Sequence, residues 1–169
     1  MATKKSVWMI FVILAVSAWI FGSAIHAGAE TLNYKVYTWV IKTETVPVPD
    51  VEGHTVGYAN RGAFYAFENG EVATINHVAT LDYIKGSGPW LQYLTIKFED
   101  GSTMIAKGKG TMEAGGATYP INEIIKGTGR FEGIIGTISA KVKYLPLEPG
   151  EAGRKGYGEG TITYTLPPK

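Results

Sequence analysis

The sequence predicts an all-β domain, an eight-stranded antiparallel β-barrel that follows an N-terminal signal helix. Beyond residue 29, no segment keeps the i, i+3, i+4, i+7 spacing of an amphipathic helix. Short runs of β-branched and aromatic residues recur instead, each closed by turn residues. Eight such runs joined by short turns form a meander, and closing the meander removes both exposed edge strands. An open β-sandwich is the alternative.

The first 29 residues have the pattern of a secretory signal peptide. A basic start at Lys4 and Lys5 precedes an apolar run over residues 7–21, and small residues then lead to an A-x-A cleavage site that ends at Ala29. Cleavage there leaves residues 30–169 as a single barrel domain, secreted or periplasmic. The alternative is an uncleaved anchor, in which case the protein contacts a membrane only through this segment.

The eight predicted strands take their bounds from turn residues. They are Tyr34–Thr45, His54–Phe67, Val72–Ile84, Trp90–Phe98, Thr103–Lys109, Ile121–Lys126, Gly133–Leu145 and Tyr157–Leu166. Two prolines at 47 and 49 end the first strand because proline donates no ladder hydrogen bond. Asn69-Gly70 and Asp100-Gly101 each predict a tight hairpin with positive φ at both turn positions. Residues 146–155, rich in Pro, Gly and charge, predict a mobile surface loop.

Alternation within two strands predicts which side chains share a face. Trp90, Gln92, Leu94, Ile96 and Phe98 fall on one face of the fourth strand. The third strand is apolar on both faces, which is typical of a wall that is also covered outside. The sequence therefore predicts a homo-oligomer.

Composition excludes several function classes. The net charge is +1 without a basic cluster, so no nucleic-acid partner is predicted. There is no Cys for a disulfide or a thiolate ligand. His54 and His77 match no metal-ligand spacing, no serine lies in G-x-S-x-G, and no G-x-G pair opens a helix, so we predict no metal and no cofactor.

Residues 125–136 carry a resemblance to a known family. Gly127-Thr128-Gly129-Arg130-Phe131-Glu132-Gly133-Ile134-Ile135-Gly136 reads as a strand, a glycine turn, an aromatic plug and a second strand. The pattern G-T-G-x-F-x-G-x-x-G resembles the signature hairpin of the allene oxide cyclase and dirigent superfamily. The resemblance implies an eight-stranded barrel with an apolar cavity, often dimeric or trimeric, whose members cyclise or steer hydrophobic small molecules. The cyclases' cysteine and the paired aspartates of dirigent proteins have no recognisable counterparts, so the resemblance implies the fold rather than an activity.

Aromatic side chains with a few polar groups are typical of a small-molecule pocket. The predicted ligand-binding residues are Tyr37, Trp39, Tyr65, Tyr83, Trp90, Gln92, Tyr93 and Phe131. The candidate catalytic residues are Glu71, His77 and Asn76, and an inward-facing Glu71 would have a raised pKa and act as an acid or base. The alternative for each aromatic residue is core packing.

The sequence thus predicts an exported barrel that binds a small hydrophobic molecule in its central cavity. A cyclase or isomerase activity on that molecule is the more specific hypothesis. The alternatives are a non-catalytic carrier with the same cavity and a structural module whose barrel is filled by side chains.

Overall fold

The structure, a computed structural model, describes residues 28–113, 116–117, 121–146 and 153–168. All but the last two residues of the predicted signal peptide, and most of the predicted 146–155 loop, lie outside these ranges. The unit described below is Ala29–Pro167. Within the described ranges, no helix has the length and apolar character needed to cross a bilayer.

The described ranges contain nine strands, eight of them long. The long strands are β1 (Glu30–Pro47), β2 (His54–Phe67), β3 (Val72–Ile84), β4 (Gly88–Phe98), β5 (Thr103–Glu113), β7 (Ile121–Thr128), β8 (Ile135–Tyr144) and β9 (Lys155–Thr165). The two-residue β6 (Gly116–Ala117) pairs only with the end of β5. A 3₁₀ turn, Gly129–Phe131, lies between β7 and β8. The prediction of eight long strands is confirmed.

The sheet closes into a barrel in which each long strand pairs with its neighbours in sequence. β1 pairs with β2 on one side and with β9 on the other, and β4 pairs with β5. All of these pairings are antiparallel, as are those from β7 to β9. The eight long strands of the described ranges therefore form an up-and-down barrel in which none of them has a free edge, which excludes the open sandwich.

Side chains alternate between the inside and the outside of the barrel along the strands, apart from irregularities at Val40–Lys42 on β1 and at Ile105–Ala106, where β5 pairs with β7. On β4, Trp90, Gln92, Leu94, Ile96 and Phe98 are buried, as predicted from their spacing. The largest fully buried side chains of the core are Ile96, Met104, Ile138 and Ile162. Because side chains alternate with a period of two along a strand, the residues between the inward-facing ones face solvent.

Two turns at the same end of the barrel repeat one geometry. Phe67-Glu68-Asn69-Gly70 and Phe98-Glu99-Asp100-Gly101 each place φ near +85° at the glycine, +88° at Gly70 and +83° at Gly101. Asn69 and Asp100 keep negative φ, which corrects the prediction of positive φ at both positions. Their side-chain oxygens instead accept backbone N–H bonds from Glu71 (3.1 Å) and Ser102 (2.9 Å), so each is an Asx-capped turn with a glycine bulge.

The glycine-rich segment closes the same end. Gly129 has φ +62° beside Ser102, and a Cβ on Gly127 would overlap with the Phe131 carbonyl. These two glycines let the chain turn sharply and push Phe131 into the barrel, where it is 2% exposed. Its ring lies 4.8 Å from Phe98 and 6.0 Å from Tyr164. We call this aromatic group the plug; the aromatic plug expected from the sequence is confirmed.

Candidate functional site

A cavity of about 140 Å³ occupies the half of the barrel away from the plug. Most of its wall is apolar, formed by inward side chains such as Val36, Ala63, Ile75, Ala79, Trp90 and Leu94. Ala63, Ile75 and Leu94 at its inner part are buried, whereas Leu81, Tyr83 and Tyr144 near the strand ends are partly exposed. Among the described residues, the approach to solvent is thus at the end opposite the plug. We call this end the mouth.

Two stacked tyrosines separate the cavity from the plug. The rings of Tyr34 and Tyr65 lie 4.0 Å apart and nearly parallel, and burial raises the pKa of both hydroxyls. The Tyr34 hydroxyl donates a 3.0 Å hydrogen bond to the Ser139 carbonyl. Tyr34 fits because the facing residue is Gly160, where a Cβ would overlap with the tyrosine ring. The inner end of the cavity is therefore rigid and aromatic.

Polar side chains also enter this mainly apolar space, among them Arg61, His77, Gln92, Asn122 and Tyr144. Gln92 Nε2 donates to Asn122 Oδ1 (2.6 Å), and Asn122 Nδ2 donates to the Ile138 carbonyl (3.3 Å). A Cβ at Gly108 would overlap with that Asn122 oxygen, so glycine there leaves room for the pair.

His77 on β3 and Arg61 on β2 are opposite each other. Each has one buried nitrogen without a hydrogen-bond partner among the described residues. The Arg61 guanidinium donates to the Tyr144 hydroxyl (2.7 Å) and lies 5.6 Å from the centre of that ring. Its Nε is buried with no partner among the described residues, and the same holds for His77 Nε2. Burial, reinforced by the Arg61 charge, lowers the pKa of His77 to about 4. His77 is therefore neutral at pH 7 and can offer or accept one proton.

Five of the predicted site residues come together in the cavity. Tyr65, Tyr83, Trp90, Gln92 and His77 all contribute to its wall. Burial raises the pKa of Tyr83, which keeps its hydroxyl protonated. Their common placement follows from alternation along β2, β3 and β4, which share the inner face of the barrel.

Four predicted site residues lie on the outer face, and one lies in the plug. Tyr37, Trp39, Tyr93 and Asn76 are exposed outside the barrel. This placement corrects the expectation that they line the interior, because each is one residue out of step with the inward set of its strand. The Trp39 ring covers Gly62, where a Cβ would overlap with the indole. Phe131 is buried in the plug, away from the cavity lining.

Glu71 is also placed differently from the expectation. It lies in the β2–β3 turn at the plugged end, and its carboxylate pairs with Arg130 Nη1 at 2.5 Å. This hydrogen bond lowers the pKa of Glu71, whereas an inward-facing acid–base group would have a raised pKa. Arg130 also lies over the Phe98 and Phe131 rings at 4.9 and 4.7 Å. Glu71 therefore holds Arg130 over the plug.

Sequence reasoning missed Arg61, Asn122 and Tyr144. The signal for Arg61 was present, since Ala59, Ala63, Tyr65 and Phe67 continue its i, i+2 series on β2. A charged residue inside an apolar series is unusual enough to indicate a functional group. In the described part of the chain, no three His, Asp or Glu side chains are grouped so that they could hold a metal ion.

Comparison with solved structures places the fold among known barrels. A protein of unknown function from the DUF3224 family of Shewanella oneidensis is similar with a TM-score of 0.55, at 16% identity over 84% of this chain and 100% of that one. The pterocarpan synthase dirigent protein GePTS1 is similar with a TM-score of 0.52, at 14% identity over 86% of this chain and 95% of that one. The chain therefore has a dirigent-like barrel fold.

Sequence comparison adds no relative. No protein-family model matches the chain, and no curated protein matches it. The likeness thus extends to the barrel fold, while the side chains of the cavity have to be interpreted by their own chemistry.

Proposed function

We propose that the barrel binds a small hydrophobic molecule in the cavity between the stacked tyrosines and the mouth. The observation that carries this proposal is the cavity itself, which is lined mainly by apolar side chains and reaches about 140 Å³. An apolar cavity of roughly 150 Å³ in another protein binds benzene. The guest enclosed here is accordingly about the size of one aromatic ring, and any longer part of it extends through the mouth.

Fluorobenzene observed by ¹⁹F NMR tests this function directly. We expect saturable line broadening with the wild-type barrel. Ala79→Leu fills the cavity, because Ala79 lies in its wall, and should abolish the broadening. Ala66→Leu is the matched control, since Ala66 faces outward on β2, and should bind as the wild type does. Equal broadening in all three proteins would place the guest outside the cavity.

A cyclase or isomerase activity on the bound molecule is a second candidate function. It is favoured by His77, a neutral imidazole that lies beside a fixed cation and whose Nε2 has no partner among the described residues. Such a pair can take a proton from a guest while the cation stabilises the negative charge that develops. His77→Gln should then abolish turnover of a reactive phenolic or epoxide substrate and leave fluorobenzene binding intact. Turnover that survives this substitution would favour the carrier.

Export behind a cleaved signal peptide also remains a proposal. It is supported by the A-x-A site ending at Ala29 and by the start of β1 at Glu30, the residue that cleavage would expose. The Tyr164 hydroxyl donates a 2.6 Å hydrogen bond to the Glu30 carboxylate, so Glu30 is already part of the barrel structure. The secreted product should have the mass of a chain that begins at Glu30. A membrane-bound product of full mass would indicate an anchor instead.

A further inference from the structure

Among the described residues that line the cavity, Arg61 is the one with a permanently charged side chain. It lies on the inner face of β2 between Ala59 and Ala63, both of which are buried. A cation in apolar surroundings loses hydration, and proteins normally compensate the loss with a carboxylate. None of the ion pairs formed by the described residues involves Arg61.

The protein groups around Arg61 hold its orientation without neutralising its charge. The Tyr144 hydroxyl accepts one guanidinium hydrogen bond at 2.7 Å, and the tyrosine ring lies beside the guanidinium. Arg61 Nε, although buried, has no partner in the described ranges. A cationic donor that lacks an acceptor among the described residues thus lies next to the cavity.

The other polar groups of the cavity do not supply a negative charge. His77 opposite Arg61 is neutral at pH 7, and Gln92 and Asn122 are bonded to each other. Tyr83 stays protonated because burial raises its pKa. An anionic guest would therefore meet one fixed positive charge and several donors, with no carboxylate of the described wall to repel it.

We propose that the natural ligand is a small aromatic carboxylic acid, bound as its anion with the carboxylate at Arg61 and the ring in the apolar part of the cavity. The planar guanidinium fork matches the two oxygens of a carboxylate, and charge-assisted hydrogen bonds of this kind are the strong ones. The cavity of about 140 Å³ accommodates a single ring. The inference rests on the proposed binding function and adds the chemical class of the ligand.

The test compares 4-fluorobenzoate, ionised at pH 7, with the near-isosteric neutral 4-fluorobenzamide, both observed by ¹⁹F NMR. We expect the wild-type protein to prefer the anion by roughly tenfold to a hundredfold, the range for a hydrogen bond to a charged group. Arg61→Met should remove the preference, because it should weaken binding of the anion much more than binding of the amide. Arg61→Lys, which keeps the charge but not the fork, should retain part of the preference.

Lys97→Met is the matched control, because it removes one positive charge from the outer face of β4. It should leave the preference for the anion unchanged. If fluorobenzene binds but the wild-type protein does not distinguish anion from amide, this inference is overturned while the binding function stands. If fluorobenzene, benzoate and benzamide all fail to bind, both proposals are overturned. The wild-type comparison holds even if Arg61→Met does not fold.

Discussion

At the scale of single residues, the two described histidines have opposite environments. His77 lies in the cavity wall beside Arg61, Gln92 and the hydroxyls of Tyr83 and Tyr144, and burial sets its pKa at about 4. His54, near the mouth, is bonded by Asp50 (2.6 Å) and Asp82 (2.9 Å), and these bonds raise its pKa. One ring is therefore kept neutral and the other is favoured as a cation.

These environments predict opposite pH dependences of stability. Between pH 6.5 and about 4 the unfolded chain protonates His77 and the folded chain does not, so stability falls as pH falls through this window, by up to roughly 3 kcal/mol. His77→Gln should flatten this fall in denaturant unfolding measured from pH 4 to 8. His54 contributes stability at low pH that is lost as pH rises through its raised pKa.

The control for this prediction is His54→Gln. It should remove a stabilising contribution that is present at pH 5 and declines as pH rises through the raised pKa of His54, because the neutral imidazole loses its charge pairing with Asp50 and Asp82. Parallel curves for His77→Gln and the wild type would contradict the assigned burial of His77. They would also remove the support for the second candidate function.

At the scale of elements, the plug is a separate structure from the cavity. Phe67, Phe98, Phe131 and Tyr164 form a chain of rings with centroids 4.8 to 6.0 Å apart across β2, β4, the 3₁₀ turn and β9. Arg130 covers two of these rings and is held by Glu71 and by Asp100 at 3.5 Å. The repeated Phe-Glu-Asn/Asp-Gly turns place the rings of Phe67 and Phe98 at the same end of the barrel.

Truncating the plug should reduce stability much more than it reduces binding. Phe131→Ala removes a ring that is 2% exposed, and we expect a loss of about 3 to 5 kcal/mol in denaturant unfolding. Phe64→Ala is the matched control, because Phe64 is 41% exposed on the outer face, and it should cost less than about 1 kcal/mol. Comparable losses in the two variants would mean that the plug does not stabilise the barrel.

Local patterns predicted the elements better than they predicted the site. The strands β2 and β3 have the predicted bounds, since both lie between strong turn residues. Aromatic content alone could not assign Tyr37, Trp39 and Tyr93 to a face, because both faces of these strands carry apolar side chains. The alternation that places Ala59, Ala63 and Tyr65 inside the barrel also predicts that Arg61 faces inward. A basic residue, however, is ordinarily expected to face solvent.

At the scale of the whole molecule, the barrel presents apolar side chains outside as well as inside. Tyr37 is directly opposite Phe64 on β2 and Tyr157 on β9, and all three are more than 40% exposed. Val78 on β3 is also exposed and is directly opposite the exposed Tyr93 on β4, which matches the two-faced pattern noted in the sequence. Contiguous apolar surface of this kind commonly marks an interaction site.

The homo-oligomer expected from the sequence remains a prediction. Sedimentation velocity at micromolar concentration should give the mass of a dimer or trimer of the barrel. Tyr37→Ser combined with Phe64→Ser removes apolar surface from the outer face without touching the cavity wall, and should shift the mass toward the monomer. A monomer in the wild type at concentrations up to tens of micromolar would contradict the prediction.

The most direct measurement is the electron density of a crystal of the barrel under xenon pressure. Xenon enters dry apolar cavities of this size and identifies them by position. We expect a single strong xenon peak among Ala63, Ile75 and Leu94, and we expect this peak to be absent in Ala79→Leu. A wild-type barrel whose interior is filled by side chains and takes up no xenon would contradict the proposed binding cavity.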